Sequence, residues 1–278
     1  LALGAVSALP GVGPAGGGLR ATLEGHPGPV LSVACDDAGD GFCVVSAGGG
    51  DKTVRVWDGA AGGAPLLVLE HEEVVNAVAC YGEGDERRIV SAAGKRLFVW
   101  DAVAGGAPLL VLVGHTEAVT AVAGGGGGGG GRCVSGGDDK VLLVWDAVAG
   151  GAPLLKLEGH TDAVRAVACH GAGDGWRIVS GGEDKVLRVW DGAAGGAPLL
   201  TLEGHTRGVS AVACHGAGDD WRVVSGSYDR TVRVWDGVAG GAPLLVLEGH
   251  TDRVLAIACH GAGDGWRYVS GGRDKVLS

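Results

Sequence analysis

The 278-residue chain carries 22 basic and 32 acidic side chains, a formal net charge of −10. That balance opposes nucleic-acid binding, which needs a basic surface to neutralise phosphate, and it repels an anionic membrane surface. Hydrophobic residues make up 46% of the chain, ample for a core, yet no stretch approaches the length of a membrane-spanning helix.

Residues 1–18 show no periodic pattern and are expected to be a poorly ordered lead-in. They are mildly apolar but lack the basic start of a signal peptide. With no methionine, even at position 1, the chain is expected to be a piece of something longer. The segment 19–24 (Leu-Arg-Ala-Thr-Leu-Glu) aligns with Pro198–Glu203 and reads as the last strand of a repeat whose earlier strands do not precede it.

From there the chain repeats itself. Histidines at 26, 71, 115, 160, 205 and 250 are spaced by 45, 44, 45, 45 and 45 residues, and Trp-Asp pairs at 57–58, 100–101, 145–146, 190–191 and 235–236 keep the same period. Most of the 57 glycines recur at fixed points of this unit, so they are turn residues rather than a sign of low complexity. One unit predicts four short strands: Val164 to Cys169 innermost, with Val164, Val167 and Cys169 facing the core, then Trp176 to Ser180, Val186 to Trp190, and an outer Leu199 to Leu202. Gly-rich turns separate them, as in an antiparallel sheet of about five-residue strands.

Two units are irregular. The second has Ser91-Ala92-Ala93-Gly94-Lys95, one residue short and without the turn aspartate. The third replaces a Cys-His-Gly-Ala-Gly-Asp-Gly-Trp segment with eight glycines, 124–131, which keeps the register but predicts local softness. The sixth stops at Ser278, before any Trp-Asp.

A Gly-His to Trp-Asp unit of this length points to a propeller, and the pattern over residues 19–278 resembles the WD-repeat (WD40) β-propeller family. The resemblance implies an all-β propeller of four-stranded antiparallel blades, six being preferred. Closure would come from segment 19–24 pairing with the last blade, which removes exposed sheet edges; a seventh blade would have to lie beyond Ser278. It also implies a hydrogen-bonded relay of His, Ser, Asp and Trp in each blade. The matching residues are His26, Ser46, Asp51 and Trp57; His115, Ser135, Asp139 and Trp145; His160, Ser180, Asp184 and Trp190; and His205, Ser225, Asp229 and Trp235. The second repeat keeps His71, Ser91 and Trp100, and the sixth keeps His250, Ser270 and Asp274.

A Ser-His-Asp trio could be taken for a hydrolase triad, but its recurrence in every unit beside an indole, with no oxyanion motif, fits an internal network. No nucleotide or paired-carboxylate motif stands out, and the glycine run lacks the Gly-Lys-Ser/Thr of a phosphate loop. No enzyme activity and no cofactor or metal are expected. Cys169-His170, Cys214-His215 and Cys259-His260 recur once per unit and do not form the closely spaced pairs of a zinc site. Cys35, Cys80, Cys169, Cys214 and Cys259 share one repeat position, so they read as buried free thiols of a reducing compartment, cytoplasmic or nuclear. Trp176, Trp221 and Trp266 lie near those histidines and are expected to pack at blade edges.

Units 160–204 and 205–249 differ at twelve of 45 positions, four of them Asp162/Arg207, Ala163/Gly208, Arg165/Ser210 and Glu183/Tyr228. In the WD-repeat family the slots three and five after the histidine, and just before the turn aspartate, face the narrow upper side where ligands dock. Here these slots give Asn76, Thr120, Asp138, Arg165, Glu183, Ser210, Tyr228, Arg253, Leu255 and Arg273 as partner-binding candidates. Arg165, Arg253 and Arg273 would anchor anions or backbone carbonyls, Tyr228 would offer a flat apolar contact, and Glu183 and Asp138 would favour a basic segment. The expected function is a non-catalytic protein- or peptide-binding scaffold. A structural subunit that contacts its neighbours through its sides, or a sensor propeller of a multidomain protein, is the alternative.

Overall fold

The computed structural model describes residues 22–37, 42–82, 86–125, 131–261 and 265–277. Within them the chain folds into successive antiparallel sheets, each a simple meander. The first comprises Val30–Asp37, Phe42–Gly48, Thr53–Asp58 and Leu67–Glu70. The second comprises Val75–Tyr81, Arg88–Ala93, Arg96–Asp101 and Leu110–Val113. Val119–Gly125, Arg132–Gly137, Leu142–Asp146 and Leu155–Leu157 form the third. Val164–His170, Arg177–Gly182, Leu187–Asp191 and Leu200–Leu202 form the fourth, and Val209–His215, Arg222–Ser227, Val232–Asp236 and Leu245–Leu247 the fifth. The sixth has Val254–His260 and Arg267–Gly272, with a single bridge from Gly271 to Leu277.

Strand limits fall within two residues of those read from the repeat. The largest shift is at the end of the second strand, which runs to Gly182 rather than Ser180, while Trp176 stays outside its start because Gly173–Gly175 forms a 3-10 turn and the Trp176 amide donates to Gly173 O at 3.1 Å. The softened third repeat still pairs: Arg132 to Gly137 stand opposite Gly125 to Val119, the polyglycine residues 126–130 lying outside the described residues. Ring closure by 19–24 is not seen. Residues 19–21 lie outside the described residues, and Thr22 to Glu24 enter no strand.

The sheets are held face to face by apolar layers. Val54, Val56 and Leu69 of the first pack on Val75, Val78 and Trp100 of the second; Val134, Leu142 and Leu157 of the third pack on Val164, Val167 and Trp190 of the fourth. Close approach requires small residues in the second strand of each sheet. A Cβ on Gly181 would stand 2.5 Å from Val209 Cγ1 of the next sheet, and one on Gly136 would stand 2.5 Å from Val164 Cγ1. The outer-strand leucine then disappears beneath the neighbouring sheet, Leu157 and Leu202 both reaching 0% exposure. Leu247, facing the two-stranded sixth sheet, stays 37% exposed.

Each Trp-Asp aspartate has a local task. Asp191 Oδ1 accepts the amides of Ala193 and Ala194 at 2.9 and 2.8 Å, folding the Gly-Gly-Ala-Pro loop back onto the sheet, and Asp58, Asp101, Asp146 and Asp236 do the same. These amide bonds hold the Asp191 carboxyl below the usual carboxylate range.

Candidate functional site

The relay residues meet in space. In the fourth sheet Trp190 Nε1 donates to Ser180 Oγ at 2.8 Å, His160 Nε2 lies 2.7 Å from the same oxygen, and His160 Nδ1 lies 3.0 Å from Asp184. A neutral imidazole with its proton on Nδ1 satisfies every partner: indole N–H to serine, serine O–H to Nε2, and Nδ1–H to carboxylate. The same contacts link His26, Ser46, Asp51 and Trp57; His115, Ser135, Asp139 and Trp145; and His205, Ser225, Asp229 and Trp235. His250, Ser270 and Asp274 also meet.

Burial pushes the Asp184 and Asp229 carboxyls up, but hydrogen bonds from His160 and His205, with those of Arg188 and Thr231, outweigh it and hold both well below the usual range. For His115, burial lowers the pKa and Asp139 only partly opposes it. The aspartate also accepts the amide one residue past the histidine, as from Thr161 at 3.1 Å and Thr206 at 3.0 Å, so the relay fixes the loop that enters each sheet. Ser135, Ser180 and Ser225 are fully buried, each with its oxygen taken by an indole N–H. That geometry braces a sheet and leaves no free path to a serine nucleophile.

The second repeat manages without the aspartate. His71 Nε2 keeps Ser91 Oγ at 2.8 Å, while Nδ1 turns to Leu69 O at 3.3 Å and the ring packs edge-on against Phe98 at 5.1 Å. Gly94, at φ +56°, makes the shortened turn, and Arg96 pairs with Glu72 and Glu73 beside it.

The upper-face slots have a backbone cause. Every first strand carries a register shift over three residues: Val75 to Ala77, Val164 to Ala166, Val209 to Ala211, Val254 to Ala256, and Val119 to Ala121 opposite Gly137 and Gly136. The residue passed over is Asn76, Thr120, Arg165, Ser210 or Leu255, and Leu31 in the first sheet. A bulged residue is freed from the ladder and its side chain is re-aimed. Three of them use that freedom to staple neighbouring sheets: Asn76 Nδ2 donates to Val119 O at 2.9 Å, Thr120 Oγ1 to Val164 O, and Ser210 Oγ to Val254 O.

Arg165 instead spans two sheets through carboxylates, with Nη1 2.8 Å from Asp138 and Nε 3.0 Å from Glu183. Burial works against its charge, but Glu183 and Asp138 prevail and raise its pKa. The guanidinium expected to wait for an anion is therefore already engaged. Arg253 lies over the Tyr228 ring, 4.8 Å from its centroid. Leu255 is partly buried, and Arg273 is exposed. Asn76, Thr120, Arg165 and Ser210 line a cavity of about 400 Å³ to which the first strands of all six sheets contribute.

Comparison with known proteins follows this geometry. The family model for the WD domain, G-beta repeat (WD40) matches residues 17–58, 106–146, 151–191 and 196–236, more than half of the chain. The chain belongs to the WD40 repeat family. Its fold is similar to that of the computationally designed Ika8 protein, known from a crystal structure, with 30% identity and a TM-score of 0.67 over 93% of this chain and 72% of that one. No curated protein matches the sequence. WD40 repeats serve in general as protein-interaction scaffolds and are generally non-catalytic.

The second WD40 repeat lies outside the matched segments, yet it builds a complete four-stranded sheet. It keeps the His71–Ser91–Trp100 part of the relay, Trp100 Nε1 donating to Ser91 Oγ at 2.8 Å, so the sheet forms with the aspartate alone missing. Sequence reasoning missed the lower joints between repeats. His170 stacks on Trp221 of the next sheet at 4.6 Å and 11°, and His215 sits on Trp266 at 4.3 Å while its Nε2 lies 3.1 Å from Tyr268 Oη. Trp176 and Trp221 are buried and pack the joints, in keeping with the blade-edge packing expected of them. The cysteines at the shared position line the central cavity, none of them in a disulfide and each partly exposed rather than fully buried; Cys133 alone is buried. Burial pushes the Cys35 thiol up to about 11 and those of Cys169 and Cys259 up to about 12. Among the described residues no cluster of His, Cys, Asp or Glu could hold a metal ion.

Proposed function

We propose that this WD40 chain is a non-catalytic scaffold that receives a protein or peptide on its upper face. The observation that carries the reading is the bulge repeated in every first strand. It places a residue free of ladder pairing at one equivalent point of each sheet, and these points vary (Leu31, Asn76, Thr120, Arg165, Ser210, Leu255) while the flanking scaffold hardly does. Side chains at such positions can change without disturbing strand register, which is what a surface tuned to a ligand requires.

Within this reading the sheets form a six-bladed ring completed by segment 19–24, and the supporting feature is the single cavity shared by all six first strands. Tyr228 and Arg253 supply aromatic and cationic contacts, Asp138 and Glu183 attract a basic stretch, and Asn76, Thr120 and Ser210 serve chiefly as staples. A cytoplasmic or nuclear setting belongs to the same reading, supported by seven cysteines none of which is in a disulfide.

Photo-crosslinking residues placed at Asp138 or Arg273 on the upper face, at Val246 on the side, and at Trp266 below would test it in lysate of the source cell. Crosslinks to one polypeptide from the upper positions alone support the scaffold reading. Crosslinks from Val246 alone would instead favour a structural subunit joined through its sides, where Leu66, Leu109, Leu154, Leu199 and Leu244 are exposed.

A further inference from the structure

We propose that the upper face over the fifth and sixth sheets is a docking site for an extended acidic peptide segment, anchored by Tyr228, Arg253 and Arg273. The inference rests on the upper-face reading above and names the chemistry of its ligand.

The upper-face cations divide into two groups. Arg96 is committed to Glu72 and Glu73 at 3.2 and 3.4 Å, and Arg165 to Asp138 and Glu183 at 2.8 and 3.0 Å. Arg207, Arg253 and Arg273 are exposed, and among the described residues none of them pairs with a carboxylate. Backbone bonds bring these three together. The Arg273 amide donates to Arg253 O at 2.8 Å, and the Tyr228 amide to Gly208 O at 3.0 Å, directly beside Arg207. The Arg253 guanidinium lies over the Tyr228 ring, 4.8 Å from its centroid, and stays exposed. A guanidinium fork suits a carboxylate.

Charge then sets the direction of the ligand. Over the second to fourth sheets, Glu72, Glu73, Asp138 and Glu183 outnumber Arg96 and Arg165, so this side of the face is net negative. Over the fifth and sixth sheets Arg207, Arg253 and Arg273 outnumber Asp252, whose carboxylate accepts the Arg253 amide at 2.8 Å, and make it positive, although the chain as a whole carries −10. A short acidic segment is drawn to one side and repelled from the other. A long polyanion meets the repulsion of the whole molecule, which excludes nucleic acid as the occupant.

The test is fluorescence anisotropy of a labelled short peptide of alternating Glu and Ser with the full chain at low ionic strength. The peptide is expected to bind, to weaken with added salt, and to lose at least about tenfold in affinity with Arg253→Glu/Arg273→Glu, since exposed ion pairs contribute modestly one by one. Arg96→Glu, on the acidic side, should leave binding unchanged, and a Lys-Ser peptide should not bind. Thermal unfolding shows that each variant is folded. Failure of the Glu-Ser peptide to bind overturns the inference. So does equal binding by the charge-reversal variant, or equal binding of the Lys-Ser peptide or of a single-stranded oligonucleotide. If upper-face crosslinks to a partner persist while this peptide fails, the acidic-ligand inference falls and the scaffold reading stands.

Discussion

Replacing Gly192 by alanine should destabilise the fourth sheet although the added group is one methyl. The residue follows Trp190-Asp191, and a Cβ built on it lies 2.5 Å from Trp176 Cδ2 and Cε3 and 3.0 Å from Cγ. Trp176 is 1% exposed and cannot retreat without moving its neighbours, so the overpacking should cost about 1–3 kcal/mol. Gly192 does not have a left-handed backbone, so the cost is packing alone. The Trp176→Gly background supplies the control: there the alanine meets open space, and by restricting the unfolded chain it should be neutral or stabilising by about 0.5 kcal/mol. The third repeat already carries that combination, Gly131 with Ala147. Urea unfolding of the four members of the cycle should give a coupling of about 1–3 kcal/mol. A Gly192→Ala protein as stable as the natural one, or one equally destabilised with and without Trp176, would refute the reasoning.

Ser180→Ala should cost about 1–3 kcal/mol, because it strands the Trp190 indole N–H and removes the donor to His160 Nε2 in a buried setting; calorimetry would show it. Acidification should weaken the fold in two stages. Burial lowers the pKa of His71 and His115 in the folded protein, so their contribution is complete above about pH 6.5 and fades as pH falls below it. Asp184 and Asp229 are also lowered, so theirs is lost as pH falls below about 4; a higher Tm at pH 5 than at pH 7.5 would contradict the histidine sign, and a higher Tm at pH 2 than at pH 5 the aspartate sign. Lys185→Gly should stabilise by up to about 1 kcal/mol, since Lys185 sits at φ +70° in the turn after Asp184, and urea titration would measure it. Iodoacetamide at pH 8 should modify Cys35, Cys169 and Cys259 far more slowly in the native chain than in the denatured one, because their raised pKa values suppress the thiolate; mass spectrometry of the alkylated peptides would show it.

The repeat made the scaffold readable because one unit stands beside near-copies of itself. Position-specific glycines, the Trp-Asp spacing and the alternation of Val with polar residues gave strands to within two residues, and the relay residues could be named from their register. What escaped was anything set between units. The staples from Asn76, Thr120 and Ser210 and the His170–Trp221 stack join residues 43 to 51 positions apart, and Arg165 reaches carboxylates 27 and 18 positions away, which no local pattern specifies. One such joint did leave a trace in the sequence. The residue after Trp-Asp is glycine at 192 and 237, where Trp176 and Trp221 occupy the second-strand entry, and alanine at 102 and 147, where Arg87 and Gly131 do. That trade of volume within the chain could have predicted the contact. Closure of the ring was expected from the likeness of 19–24 to an outer strand, yet Thr22 to Glu24 show no strand pairing.

The central claim is that the bulged and turn residues of the upper side receive a protein partner. Hydrogen exchange of the full chain, alone and with the polypeptide identified by crosslinking, measures that directly. The account predicts added protection in the loops and strand starts at 72–76, 116–120, 161–165, 206–210 and 251–255, with the outer strands unchanged. Protection confined to the outer strands Leu67–Glu70, Leu110–Val113 and Leu245–Leu247 would contradict it and make the protein's sides its working surface.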